Sequence, residues 1–514
     1  MTKPLARDGV LVGAMLTVAL VAVSFLGWTL FALPFLPFDL FDWIARILPG
    51  SVATRGVDAF VAISSLVGGS SLDAAAKPIE QATAVVGLFL AGAAGGAMLF
   101  ALLRLTNEPP LLPSGIVGAM LGGLAVVIEE RLDRIATGPA LSGPWVFATM
   151  LAWGMSLGWA YGRLAAAGPP GQAETVGESR RRFLLQLGSS TLAGAFMTML
   201  AGVLFGGRDE GLGGARWSDT HPLPNAGARV APLTGTRAEF TPLDRHYRVD
   251  TNTRAPRIDG EQWRLKAGGL IQRPLAFTLD ELRQHDPLHV FATLACISNP
   301  PGGDLIGTTR WTGVSLRRLL PELILSDNAT HLRVMSADGF YETLAIATIR
   351  SDERIMLAYA WDGVPLPPAH GFPLRLLVPD LYGMKQPKWI VAIDAVDSWQ
   401  PGYWVARGWD REGRVALASA IDVVDIAPGS AGAKAAELGG IAFAGTRGVS
   451  KVEVRVDDGV WQPAQLRDPL SDDTWVVWRA SLAVTPGNHA FTVRAFDSDG
   501  RSQQSGFHMK RLHV

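Results

Sequence analysis

The sequence predicts a chain of three parts: an N-terminal α-helical transmembrane bundle, a central α+β domain and a C-terminal β-sandwich. Three observations lead there. Charge-free apolar segments crowd residues 1–207, short strands and turns fill the middle, and the last part alternates apolar and polar positions. With 48% hydrophobic residues among 514, the chain is too apolar for an ordinary soluble protein, and the excess sits in the first part.

Val10–Leu33, Ala82–Leu103, Ile116–Ile128, Trp145–Tyr161 and Phe183–Gly207 contain no Asp, Glu, Lys or Arg. A hydrocarbon core of about 30 Å needs about 20 helical residues. Most of these segments reach or approach that length, and Ile116–Ile128 does so if Leu111 to Gly115 extend it. Ala59–Val67 is shorter and reads as an interfacial or re-entrant piece. The expectation is a membrane domain over residues 1–207 with five transmembrane helices. Lys3 and Arg7 precede the first span, and Arg163, Arg180, Arg181 and Arg182 lie between the fourth and fifth. Basic loops stay in the cytoplasm, so both sites are read as cytoplasmic; Arg131 and Arg134 weaken that assignment without reversing it. An odd number of spans then puts everything after residue 208 on the periplasmic, extracytoplasmic face of a multi-pass inner-membrane protein. Ser179-Arg-Arg-Arg-Phe-Leu-Leu185 resembles a twin-arginine export signal in an internal position; the plain alternative is a positive-inside anchor.

Residues 208–242 are rich in Gly and Pro and read as a linker. From 243 to 417, strands are expected at Trp263–Gly268, His289–Ala295, His331–Met335, Leu374–Val378 and Ile390–Val396, and short helices at Leu279–Gln284 and Val314–Leu320. From 418 to 514 the texture is nearly all β. Lys451–Val456 and Ala490–Phe496 alternate, and Asp457-Asp-Gly459 is a hairpin turn, which suggests a sandwich of immunoglobulin-like architecture. A net charge of −1 without a basic cluster argues against a nucleic-acid partner. All nine histidines lie at position 221 or later, so no haem can be held by histidine pairs between the membrane helices, and a single cysteine cannot ligate an iron–sulfur cluster. No intrinsic haem or iron–sulfur cluster is expected.

That cysteine, Cys296, stands in Phe291-Ala-Thr-Leu-Ala-Cys-Ile-Ser-Asn299-Pro-Pro-Gly-Gly-Asp304. It follows a strand and precedes a turn, a place where reactive groups are displayed. On these residues alone two readings stay open: a small buried hydrophobe, or a thiolate acting as nucleophile or metal ligand.

Several blocks, in order, resemble the sulfite oxidase superfamily of molybdenum–molybdopterin enzymes, in its bacterial membrane-anchored form. They are His246-Tyr-Arg-Val-Asp250 with Trp263-Arg-Leu, Thr293-Leu-Ala-Cys296-Ile-Ser-Asn299, Thr309-Arg-Trp-Thr-Gly-Val-Ser-Leu316, and His370-Gly-Phe-Pro-Leu-Arg375 with Tyr382-Gly-Met-Lys385-Gln-Pro-Lys388-Trp389. A last block is Ala444-Gly-Thr-Arg447-Gly-Val-Ser with Asp458-Gly-Val-Trp461. The resemblance implies a sulfite-oxidase-like molybdopterin domain at 243–417, Cys296 as the metal ligand, and a C-terminal domain of the family's dimerisation type. It implies that Tyr247, Arg248, His370, Arg375, Gly383, Lys385 and Lys388 bind the cofactor. It places Trp311, Tyr341 and Arg447 beside the metal and its substrate. A thiolate suits molybdenum as a soft donor, and the pterin phosphate suits fixed cations. The implied activity is oxygen-atom transfer on a small S- or N-centred substrate, with a separate cytochrome or quinone-linked redox partner, membrane lipid around the anchor and a homodimer as the family's assembly. Pro300, Pro301 and Gly302 stand where sulfite oxidases place arginines, which disfavours sulfite. The alternative is a non-catalytic sensor or assembly protein that keeps the fold. A thiol-nucleophile hydrolase would need a histidine near Cys296, and His289 lies seven residues back.

Overall fold

The computed structural model describes residues 3–31, 33–49, 52, 55–56, 72–106, 108–132, 139–166, 173–205, 214–428, 434–504 and 506–514. Ala59–Val67, read above as an interfacial piece, lies outside the described residues, as do residues 208–213 of the linker. The first part is helical: α1 (Ala6–Phe31), α2 (Leu36–Ile47), α3 (Leu72–Leu105), α4 (Leu111–Leu132), α5 (Pro139–Ala166) and α6 (Ala173–Phe205). Among the described residues four stretches are long and apolar enough to cross a membrane: Ala6–Phe31, Lys77–Leu105, Leu111–Leu132 and Ser179–Ala201. The fourth expected span, Trp145–Tyr161, lies in α5, where Trp, Gly and Ser dilute the aliphatic residues, so this helix is not among the four.

Without a hydrophobic drive between helices in lipid, small residues let backbones meet. A Cβ on Gly96 of α3 would lie 2.7 Å from the Cα of Gly13 in α1, and one on Gly154 of α5 would lie 2.6 Å from the Cα of Gly118 in α4. Both helix pairs are therefore in backbone contact. The short α2 was not foreseen. It starts at Leu36 with Pro37 in its first turn, packs Leu36 and Phe38 inward and buries Asp39 and Asp42.

The middle part holds two sheets. One has the order β2 (Leu275–Phe277), β1 (Leu265–Gly269), β10 (Ile390–Val396), β5 (His331–Ser336), β6 (Tyr341–Ala345). The other runs β3 (Leu288–Ala295), β4 (Ile306–Ser315), β7 (Met356–Trp361), β8 (Val364–Pro365), with β9 (Arg375–Leu377) also paired to β7. The helix over Leu279–Gln284 forms as expected, because Thr278 and Glu281 make a reciprocal capping box. The helix expected at Val314–Leu320 begins later, at Leu316: Val314 and Ser315 belong to β4 and pair with Leu357 and Met356.

The last part is two four-stranded sheets, β11 (Ala418–Pro428), β12 (Lys434–Phe443), β16 (Val476–Val484), β15 (Gln465–Leu466) and β14 (Gln462–Pro463), β13 (Val449–Val456), β17 (Asn488–Asp497), β18 (Met509–His513). They share a core of Ile421, Leu438, Val452, Val454, Trp478, Phe491 and Val493. The described part of the linker is no free tether. Asn225 donates to Glu239 (2.6 Å) and to the Asp468 carbonyl (2.6 Å), Arg467 pairs with Glu239, and Arg237 pairs with Asp422. Polar side chains, invisible to a test of apolar periodicity, strap this stretch onto the sandwich.

Candidate active site

Strand β3 delivers Cys296. Its last residue, Ala295, pairs with Ile306, and the chain then turns: the Cys296 N–H donates to the Leu305 carbonyl (2.9 Å), and the Asn299 N–H to the Cys296 carbonyl (3.0 Å). The Asn299 side chain closes the loop by accepting from the Leu305 N–H at 2.9 Å. Burial pushes the Cys296 thiol up, opposed by hydrogen bonds from the Ser298 backbone and hydroxyl. A half-buried thiol whose pKa is raised is a poor free nucleophile, and a bound cation is what would hold it as thiolate. The sandwich braces this strand. Thr293 donates its N–H to the Asp473 carbonyl (2.9 Å), and the Trp475 N–H donates to the Thr293 hydroxyl (3.0 Å).

Beside the cysteine strand lies a box of His246, Tyr247, Trp311, Trp361, His370 and Arg375. The His246 ring is 5.6 Å from Tyr247, 5.9 Å from Trp311, 5.1 Å from Trp361 and 5.8 Å from His370. Arg375 on β9 is 3% exposed, its guanidinium lies 4.9 Å from the Trp311 ring centroid, and it donates to the His370 carbonyl at 3.1 Å. Burial lowers its pKa to about 10, and among the described residues no carboxylate pairs with it. Its Nε, both ring nitrogens of His246 and the Trp361 Nε1 are buried without a hydrogen-bond partner. Burial, with Arg375 next in weight, pushes the His246 pKa down to about 3, so the ring is neutral. A buried cation and several orphan polar groups side by side cost several kcal/mol unless an anionic, acceptor-rich group joins them.

Gly383 closes another wall. A Cβ there would lie 3.2 Å from the Tyr247 hydroxyl and 3.7 Å from the Ala295 carbonyl, so backbone approaches the end of β3 closely. Gly371, at φ +110°, brings Arg375 and Lys388 together: its Cβ would sit 3.1 Å from one and 3.2 Å from the other. Lys388 pairs with the fully buried Asp250, which also accepts from Arg248 Nε at 2.6 Å.

Four of the expected site residues have protein partners of their own. Lys385 is tied by a buried ion pair (2.9 Å) to Glu342 of β6. Tyr341 lies on the edge of the other sheet, its ring against Arg333 and Tyr403, because the alternation of β5 and β6 sets its face. Trp311 is wholly buried, donates to the Ala292 carbonyl (3.3 Å) and underlies Arg375. Arg447 bridges Asp380 and Asp497 and donates to the Val415 carbonyl at 2.7 Å. Sequence reasoning missed His246 and Trp361 as site groups, and Tyr382 as the tyrosine near the thiol. The signal for His246 was its place beside Tyr247 at the head of the His246–Asp250 block. Tyr382 accepts from the Ala416 N–H at 3.0 Å; burial raises its pKa, and charge on Cys296 acts in the same direction.

Residues 252–404 match the family of the oxidoreductase molybdopterin binding domain. That match covers the middle part of the chain and gives the family of this domain. The chain's relatives agree. It is 26% identical over 328 residues to a sulfite oxidase of Arabidopsis thaliana, covering 51% of this chain and 82% of that one. It is 30% identical over 192 residues to an inducible NADH nitrate reductase of Glycine max, covering 32% of this chain and only 22% of that one. It is 29% identical over 187 residues to a protein of Azospira oryzae named for a protein-methionine-sulfoxide reductase subunit, covering 36% of this chain and 68% of that one. Among solved structures, the sulfane dehydrogenase SoxCD of Paracoccus pantotrophus is similar with a TM-score of 0.47 at 22% identity, over 53% of this chain and 76% of that one. The match over 252–404 identifies a molybdopterin-binding oxidoreductase domain, and the chain spans only about a fifth of the length of the nitrate reductases it matches. The orphan donors and the unpaired Arg375 fit such a group, since the pterin carries ring acceptors and ends in a phosphate.

Proposed function

We propose that this chain is a membrane-seated molybdenum–molybdopterin enzyme that moves an oxygen atom to or from a small neutral S- or N-centred substrate. Cys296 is the protein's ligand to molybdenum. Tyr247, His246, His370 and Arg375 line the pterin, with Arg248 and Lys388 held at its edge by Asp250. The observation that carries this reading is Arg375, a buried guanidinium without a carboxylate, among unpartnered donors beside the only thiol. The cofactor supplies the two-electron oxo chemistry; the residues shape the pocket, fix the ring and phosphate and exclude water. Reducing an S-oxide or N-oxide takes up two electrons and two protons and releases water. A separate cytochrome or quinone-linked partner exchanges those electrons.

Neutrality of the substrate follows from charge. A cavity of about 170 Å³ opens beside the cysteine loop, lined by Asn299, Pro300, Pro301, Tyr382, Ile441 and Phe443 among others. Its arginine, Arg237, pairs with Asp422, and Arg447 lies between two carboxylates. Neither offers a free cation to sulfite. The name of the Azospira relative points the same way, towards a neutral S-oxide. A hydrolase is disfavoured. His289 stands seven residues back along β3, about 23 Å at strand rise, and its ring bonds to Thr312. With α5 as a further crossing, the spans number five and the catalytic domain faces outward, its sandwich immunoglobulin-like and suited to a homodimer; the arginines at 180–182 are then a twin-arginine export signal.

The test is turnover of the full chain in detergent with a redox dye. Dimethyl sulfoxide, methionine sulfoxide and trimethylamine N-oxide are offered as oxidants, and sulfite as reductant. Turnover with one or more of the neutral oxides and none with sulfite is expected. Sulfite-dependent dye reduction as the dominant activity would overturn the neutral-substrate reading.

A further inference from the structure

Lys77, at the outer start of the apolar stretch of α3, reaches out of the helical bundle to the cofactor domain. Its Nζ donates to the Asn252 carbonyl at 2.7 Å and to the Asp250 carbonyl at 3.3 Å. Three more side chains of the membrane part bind the same short segment. Asp42 of α2 accepts from the Thr253 N–H at 3.0 Å and from its hydroxyl at 3.3 Å. Gln81 of α3 donates to the Thr253 carbonyl at 3.2 Å. Arg46 of α2 donates to the Asn252 side chain at 3.1 Å and to the Asp338 carbonyl. Asp42, Asn252 and Thr253 are almost wholly buried, so these bonds form away from water, where each matters most.

The held segment is the one that reaches the cofactor pocket. Arg248 and Tyr247 lie two and three residues before Asp250, and the Asp250 carboxylate engages both Arg248 and Lys388. Its backbone carbonyl is gripped by the membrane part while its side chain orients two pocket cations. We propose that Lys77 is a positioning residue for the pterin, and that α2 and α3 form a seat without which the 247–253 wall of the cofactor site is not held in place. The membrane domain is then a working part of the site rather than an anchor alone. This rests on the pterin being bound beside Arg375, as argued above.

The test uses the full chain in detergent, from a host that makes the cofactor and from one that does not. Lys77 pairs with Glu80 at 2.7 Å, so the informative variant replaces both, Lys77→Met with Glu80→Gln, leaving no stranded carboxylate. Gln81→Leu is a milder second variant should that one misfold, and Lys77→Arg is the conservative rescue. In the apoprotein, amide exchange at 247–254 should accelerate at least tenfold in the Met/Gln variant while exchange at 490–496 stays unchanged. In the loaded protein, pterin loss on gel filtration should be several-fold faster and the Mo(V) resonance altered, with both restored by Lys77→Arg. Wild-type exchange at 247–254, an unshifted resonance and full pterin retention in both Lys77→Met/Glu80→Gln and Gln81→Leu would overturn the inference. Faster exchange in the apoprotein with no molybdenum or pterin in the wild-type chain would keep the seat and overturn the cofactor reading beneath it, and with it the positioning role.

Discussion

Arg375 carries its charge where the described residues provide no counter-charge. It lies on β9, 3% exposed, over the Trp311 ring, with its Nε unpartnered. A group that only stabilised the fold would be better replaced by an apolar side chain of similar length, because an unpaired buried ion costs several kcal/mol. Arg375→Met should therefore leave the apoprotein as stable as before or more stable by about 1–3 kcal/mol, while pterin retention falls severely. Differential scanning calorimetry of apoprotein and pterin fluorescence after oxidation check the two halves. An apoprotein destabilised like an ordinary core truncation would contradict the role assigned to this cation. At the same scale, Lys385 shows how charge alone misleads. Its sequence neighbours resemble those of a cofactor cation, yet Glu342 pairs with it, and that partner lies 43 positions back, on β6.

Elements differ in how far they could be read from the chain. β10 and the Leu279–Gln284 helix were legible at both ends, one through its apolar run and the other through its capping box. β3 was legible because apolar residues lead into a Pro-Gly turn. β4 was not: Ile306–Ser315 is buried on both faces, so it shows no alternation to detect. α2 was missed because its buried Asp42 makes sense only against Thr253. The faces of Tyr341 and Arg447 follow from sheet register and from Asp380 and Asp497, none of which local pattern reveals. The turn between β5 and β6 yields a pH prediction. Burial raises the Asp338 pKa from 3.8 to about 6, against hydrogen bonds from the Phe340 N–H (3.0 Å) and the Thr251 hydroxyl (3.4 Å). A carboxyl whose pKa is raised on folding contributes stability that is full below pH 3.8 and lost as pH rises through about 6. The melting temperature of the wild-type chain should thus decline relative to Asp338→Asn across that window and run parallel above it. Parallel curves throughout would show that Asp338 is ionised in the folded protein.

At the scale of the molecule, three parts converge on one thiol. The sandwich braces β3 through Thr293, the middle domain supplies the box of rings and Arg375, and the N-terminal helices hold the segment that orients Arg248 and Lys388. The division into an apolar helical part, a mixed domain and a β part was legible from composition and periodicity. The convergence was not, since it depends on contacts between residues more than a hundred positions apart, such as Lys77 with Asn252. The central claim is that Cys296 ligates molybdenum. X-ray absorption at the molybdenum edge, on the loaded wild-type chain and on Cys296→Ser, tests it most directly. The account predicts that the wild type shows one sulfur neighbour beyond those of the pterin dithiolene, and that Cys296→Ser lacks that neighbour and does not turn over. An unchanged sulfur shell with full turnover in the variant would contradict it.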